Sequence, residues 1–233
     1  MKKGINLFTC ASLLFAAGTL HSQVHVRGGF NFEKVTEATI SFSDPNNSSI
    51  GFGEGGFTGS AFSVPLSVGL SKGDVYDMGI GLQIGSGSIE SNGQKTKYGQ
   101  TVPYFYVDYY LFPIGDYVKV GFGAQVRYGK STLDRTFSIP FDDGSGILAD
   151  TPFKTSTTWG RLGYRVQFNA RYTSDDQKGA MGLHIGYQFD AGHLKSMSVN
   201  GVDVDVESNS LSNTFDVTST SIMVSYTRFF GGE

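Results

Sequence analysis

Apolar and polar residues alternate with period two along much of the chain, most clearly from Gly160 to Asp190. Leu162, Tyr164, Val166, Phe168, Ala170 and Tyr172 share one side of this stretch. Arg161, Gly163, Arg165, Gln167, Asn169 and Arg171 share the other. After the polar turn TSDDQK the alternation resumes with Met181, Leu183, Ile185, Tyr187 and Phe189. A period of two sustained over about ten residues marks a half-buried strand, because successive side chains of a strand point to opposite faces. The same signal predicts strands at Val24–Glu33, Phe62–Leu70, Tyr76–Ile84, Tyr104–Tyr110, Val118–Tyr128 and Ile222–Phe230, eight in all.

Turn chemistry orders these strands. Asn92-Gly93 is a two-residue hairpin signal. Pairing Ser91 with Gln94 sets Ile80 opposite Phe105, Met78 opposite Val107 and Tyr76 opposite Tyr109, so apolar meets apolar throughout. On the other face it lays Tyr106 beside Gly79 and Tyr104 beside Gly81, where rings cover bare backbone. Pairing Tyr172 with Gly179 would put Arg161 across from Asp190. Pairing Phe112 with Tyr117 would put Asp108 diagonal to Lys119. Asn200-Gly201 resembles a hairpin tip, but continuous pairing about it would face Met181–Phe189 with the mostly polar residues 212–220. An irregular loop or bulge is expected there. Short turns follow strands two, four and six, whereas long polar segments, including Gly129–Ser156 and Ala191–Asn213, follow the others. The expected fold is all-β, an eight-stranded antiparallel up-and-down barrel with brief turns at one rim and long loops at the other.

The apolar faces decide what surrounds the barrel. Each band is about nine residues long, matching the roughly 9–11 residues of a membrane-spanning strand. Aromatics sit near the band ends, Tyr76, Tyr109, Tyr172 and Phe230 on one side and Phe32, Tyr128 and Phe189 on the other, as in headgroup girdles. The polar faces mix glycine with tyrosine and suit a packed interior better than a solvated surface. A transmembrane barrel is therefore expected in preference to a soluble lipocalin-like one. Its lumen would collect His25, Arg27, Glu33, Asp77, Asp108, Lys119, Arg127, Arg161, Arg165, Arg171, His184 and Asp190. Both signs are present, and a structural ion-pair network is expected from Arg27, Asp77, Asp108, Lys119, Arg127, Arg161, Arg165, Arg171 and Asp190. A narrow anion path or small anion site is the sharper alternative.

Composition agrees with an exported all-β protein. The 233 residues include 32 glycines, 19 phenylalanines and 12 tyrosines but one tryptophan, and the net charge is only −3. No cationic block suggests nucleic acid. Lys2 and Lys3, the apolar run Ile5–Ala17 and a small-to-polar segment before Gln23 read as a signal peptide over residues 1–22, leaving a barrel domain over 23–233. Cys10 falls inside that leader before most of its apolar core, so neither a lipid anchor nor a disulfide is expected.

With Val24–Phe32 as its opening motif and eight strands after it, the chain resembles the porin-like outer-membrane β-barrel family of Bacteroidota-type bacteria. The resemblance implies residence in outer-membrane lipid, insertion by the barrel-assembly machinery and a terminal aromatic read by that machinery. Here Phe230 is followed by Gly231-Gly232-Glu233, and Arg228 interrupts the outward face. It also implies roles in surface adhesion or envelope stability, as a minor pore, or as an accessory barrel of a secretion system.

Catalytic chemistry is not expected. Lipid-modifying barrels carry a nucleophile and His on the outward face, yet His25 and His184 point inward by parity and His193 lies in a loop. Asp203, Asp205 and Glu207 alternate as Ca²⁺ ligands do, but without the ligand-rich loop such a site needs. No metal and no cofactor is assigned. Phe137, Ile139, Phe141 and Phe153 in the longest polar segment are candidate contacts for a protein or surface partner. The expected protein is a monomeric, non-enzymatic outer-membrane barrel with a largely sealed lumen.

Overall fold

The computed structural model describes residues 22–43, 51–72, 75–91, 94–142, 148–204 and 212–231. Residues 1–21 with Cys10, Asp44-Pro45-Asn46-Asn47, Asn92-Gly93, Asp205, Glu207 and Gly232-Glu233 lie outside the described residues. Among the described residues nine strands form: β1 (Gln23–Ser43), β2 (Gly51–Lys72), β3 (Tyr76–Ser91), β4 (Gln94–Ile114), β5 (Val118–Asp142), β6 (Leu148–Thr173), β7 (Gly179–Val199), β8 (Val202–Val204) and β9 (Ser212–Phe230). All pairings are antiparallel. β1 to β7 each pair with the next, and β9 lies between β7 and β1 to close the ring. Eight long strands make the barrel, and the three-residue β8 folds back on the end of β7.

The β3–β4 register has Ser91 opposite Gln94, Ile80 opposite Phe105 and Tyr76 opposite Tyr109, as the Asn-Gly signal predicts. Two other expected registers are corrected. Tyr172 pairs with Met181, not Gly179, so Arg161 faces Gly192 while Asp190 faces Gly163. Glycine is what the displacement needs there: a Cβ on Gly163 would stand 1.9 Å from Asp190 Oδ1. Phe112 pairs with Val120, because a bulge at Leu111 inserts one residue into β4. Asp108 consequently faces Gly123, and Lys119 sits between Pro113 and Arg171.

Asn200-Gly201 is also corrected. It is a true hairpin tip, with φ of 52° at Asn200 and 81° at Gly201, the doubly positive pair that Asn-Gly tolerates. The Asn200 side chain accepts from Lys154 N at 2.9 Å, and Asn200 N donates to Lys154 O at 2.8 Å. Among the described residues the hairpin pairs Met197, Ser198 and Val199 with Val204, Asp203 and Val202, and β7 meets β9 in a different register, Met181 opposite Tyr226. Met181–Phe189 thereby avoids residues 212–220 as its main partner.

The long segments are corrected too. Most of Gly129–Ser156 is strand: β5 runs to Asp142 and β6 starts at Leu148, with Phe137 paired to Phe153 and Ile139 and Phe141 also in the ladder. The side chains of these four apolar residues lie outside the described ones. At 25 and 26 residues, β5 and β6 are more than twice the roughly 9–11 residues that cross a bilayer. The barrel is a tall cylinder, and much of what looked like loop is its wall.

Along that wall the hydrophobic pattern inverts. Near the rim that carries both termini, apolar side chains face outward: Phe30, Leu66 and Leu162 are 63%, 58% and 60% exposed. Polar residues fill the inside. Toward the far rim the outward positions become Lys34, Ser60, Ser88, Lys97, Thr132 and Thr218, while Val35, Phe57, Ile89, Tyr98, Leu133, Trp159, Leu194, Phe215 and Val217 pack inward as one cluster. The lower half thus suits hydrocarbon outside and the upper half suits water outside. Bulges at Thr36 and Lys195 adjust the phase, turning Ala38 rather than Glu37 inward and letting Met197 join the cluster. At the opposite rim, the turn 174–178 is held by Asp176. Its carboxylate accepts from Ser174 Oγ at 2.5 Å and Lys178 N at 3.0 Å, and these bonds hold its pKa below the ordinary carboxyl value.

Candidate functional site: the filled lumen

Three layers occupy the interior. The first, at the level of the apolar belt nearest the termini, is built on Arg27 from β1. Its Nη1 reaches Asp108 Oδ2 at 2.6 Å and its Nη2 reaches Asp77 Oδ2 at 2.8 Å. Arg171 from β6 binds the same Asp77 at 3.0 Å. Gln167 and Asn169 donate to Asp108 Oδ1 at 2.9 and 2.8 Å, so both carboxylates are saturated with donors. The guanidinium groups also lie over rings, Arg27 4.7 Å from the Tyr106 centroid and Arg171 4.1 Å from that of Tyr110. Such stacking suits the planar, weakly hydrated guanidinium. Ser225 Oγ and Asn169 Oδ1 lie 2.9 and 2.8 Å from the two ring nitrogens of His184. His25 contacts the Tyr106 hydroxyl. His25 and His184 thus both lie inside the barrel.

The second layer converges on Glu33. Its Oε1 accepts from Gln83 at 2.6 Å, Asn31 at 2.8 Å and Arg165 at 3.1 Å, and its Oε2 accepts from Gln100 at 3.2 Å. Arg165 also donates twice to Gln188 Oε1, at 3.2 and 2.9 Å. Arg161 reaches Asp190 diagonally across the shifted register and donates to Ser131 at 2.6 Å and to Tyr98. Arg127 approaches Glu33 only to 3.9 Å. The third layer is the apolar cluster, centred on the fully buried Trp159, whose ring lies 5.3 Å from that of Phe215 and whose Nε1 donates to Thr157.

Of the charges expected inside, Arg27, Asp77, Asp108, Arg127, Arg161, Arg165, Arg171 and Asp190 are all buried, and Lys119 is half-buried near the terminal rim. Asp108 binds Arg27, Gln167 and Asn169. Glu33, absent from the expected ion-pair set, accepts from four side chains. Its signal was its inward parity beside three arginines without enough acids. The apolar cluster was missed as well. Tyrosines fill space as the sequence indicates: a Cβ on Gly81 would come within 2.4 Å of Tyr104 Cζ.

On the outer wall, a shallow groove of about 610 Å³ lies where Phe32 and Phe62 give way to Lys95 and Lys97. Among the described residues no cluster of His, Cys, Asp and Glu is arranged to hold a metal. Among the described residues no helix is long and apolar enough to cross a membrane, a statement that does not bear on strands.

A closed antiparallel ring, an apolar belt outside and charge inside place the chain in a known class. It has the build of a membrane-spanning β-barrel. No family model matches the chain and no curated protein does, so the resemblance to a Bacteroidota-type porin-like family is not supported. Among solved structures the chain is similar to the Neisserial surface protein A, with 14% identity over 89% of this chain and 97% of that one and a TM-score of 0.39. It is also similar to the outer membrane protein AlkL in lipid bilayers, with 11% identity over 90% and 92% and a TM-score of 0.42. The translocator domain of the autotransporter NalP from Neisseria meningitidis follows, with 11% identity over 97% and 95% and a TM-score of 0.34.

Proposed function

We propose that the protein is a non-conducting, non-enzymatic scaffold of the outer membrane that holds a tall polar wall above the lipid surface. In this reading residues 1–22 are removed on export, both termini face the periplasm, and the upper half of the barrel stands outside the cell. The observation that carries the reading is the filled interior: two layers of buried charge topped by an apolar cluster built from all eight long strands. An eight-stranded ring is about wide enough for its own side chains, and charge below an apolar stopper gives ions no continuous wet path. The long hairpins then serve envelope structure or contact with a partner through the wall and its rim, in place of the floppy loops the sequence suggested. Planar-bilayer recording tests this directly. Refolded protein is expected to give no stable unitary current, and sustained openings in the wild type would overturn the sealed lumen. A tag at the 143–147 tip is expected to react with antibody on intact cells; reaction only after lysis would reverse the orientation.

A further inference from the structure

The lumen's charges do not balance layer by layer. In the layer nearest the termini, Arg27 and Arg171 meet Asp77 and Asp108, two against two, and all four are buried. In the next layer Arg127, Arg161 and Arg165 meet Glu33 and Asp190, three against two, again all buried. The surplus is one positive charge, enclosed by the balanced layer on one side and the apolar cluster on the other.

The hydrogen bonds show where it resides. Arg161 makes close contacts to Asp190, Ser131 and Tyr98, and Arg165 to Glu33 and Gln188. Arg127, 1% exposed, has only Nη2 near acceptors, at 3.5 Å from Gln100 and 3.9 Å from Glu33. No described protein acceptor lies within reach of its Nε or Nη1. Buried donors in native proteins are nearly always satisfied. A water molecule would satisfy two N–H groups but would leave the third cation uncompensated in a medium of low polarity.

We propose that the lumen binds one small monovalent inorganic anion, of the size of chloride, against Nε and Nη1 of Arg127. A single charge is what the imbalance calls for, and the side-chain-filled interior excludes organic anions. The ion is an internal counter-ion, and the proposal stands whether or not the barrel conducts, since it concerns equilibrium binding.

Urea unfolding of the refolded barrel at constant ionic strength, with sodium gluconate exchanged stepwise for chloride or bromide, tests the site. The wild-type midpoint is expected to rise and saturate with the small anion, as binding to the folded state alone requires. Arg127→Met should abolish that dependence and be at least as stable as wild type in gluconate. Arg27→Met, in the balanced layer, should keep the dependence although less stable. A wild-type midpoint equal in gluconate and chloride overturns the proposal, as does an unchanged anion response in Arg127→Met. Should either variant fail to fold, anomalous diffraction from wild-type crystals grown in bromide decides: a peak beside Arg127 supports the site, and its absence rejects it.

Discussion

Glu33→Gln is the most informative single change in the barrel. The substitution preserves shape and removes one charge, so it isolates the electrostatic part of the second layer. Glu33 is 1% exposed and accepts from four side chains, Arg165 among them at 3.1 Å. Without its charge three buried guanidinium groups face one buried carboxylate, Asp190, and an amide nitrogen is forced among donors. Removing one member of a buried pair typically costs about 3–5 kcal/mol, mostly because the partner is left uncompensated. The exposed Glu90, paired in register with Lys95 on the outer wall, supplies the control, where Glu90→Gln should cost about 0–1 kcal/mol. The assay is urea unfolding in lipid vesicles followed by the chain's single tryptophan, which is fully buried in the native state. Arg165→Met completes a double-mutant cycle, with an expected coupling to Glu33→Gln of at least about 1 kcal/mol, since adjacent members of one network are not additive. A Glu33→Gln midpoint indistinguishable from that of Glu90→Gln would refute the account of the second layer as a charge-paired hub.

Four further outcomes are expected. Trp159→Ala should destabilise the barrel by about 3–5 kcal/mol, as large-to-small changes in a packed core do, read by heat-modifiable gel mobility because the fluorophore is gone; unchanged mobility would remove the apolar cluster from the stability argument. Val68→Arg, within the belt, should cost about 2–4 kcal/mol, whereas Ser88→Arg, above it, should cost about 0–1 kcal/mol, and equal costs would misplace the membrane boundary. Gly81→Ala should lower refolding yield more than Gly28→Ala, since the first Cβ would strike Tyr104 at 2.4 Å and the second only touches Leu66 at 3.2 Å. At the turn, Ser174→Ala should raise the Asp176 titration midpoint seen by NMR back toward the ordinary carboxyl value; because the carboxyl is held low in the folded state, the small stability it adds is present at neutral pH and fades as pH falls through that midpoint.

The fold was legible because period-two alternation and Asn-Gly chemistry act locally. The β3–β4 register follows from one turn and one apolar face. Registers failed where a single extra residue intervened, as at Leu111, or where a glycine let a neighbour slide, as at Gly163 beside Asp190; neither leaves a mark in the pattern of hydrophobicity. The upper cluster was hidden by its phase. Ile222 and Val224 face lipid at even positions, whereas Phe215 and Val217 are apolar at odd ones. The same switch separates Phe62, Val64 and Leu66 from Phe57 and Ala61, and Tyr128 from Leu133. Taken strand by strand, the odd apolar residues resemble loop composition; aligned across the ring they form a second core. Glu33 escaped for a related reason, since apart from Asn31 on its own strand its donors come from β3, β4 and β6, and no local spacing announces those.

The upper cluster has a consequence for how the protein enters the membrane. Its members come from every long strand, β1 and β9 included, so it is complete only when the last strand zips onto the first. Until that seam closes, each inserted hairpin holds Phe57, Trp159 or Phe215 against water on what will become the inner face. Closure converts that exposed surface into a packed stopper in one step. Reversing it would require drawing the stopper apart in water before any strand could retreat through lipid. The cluster therefore acts as a latch on the closed ring.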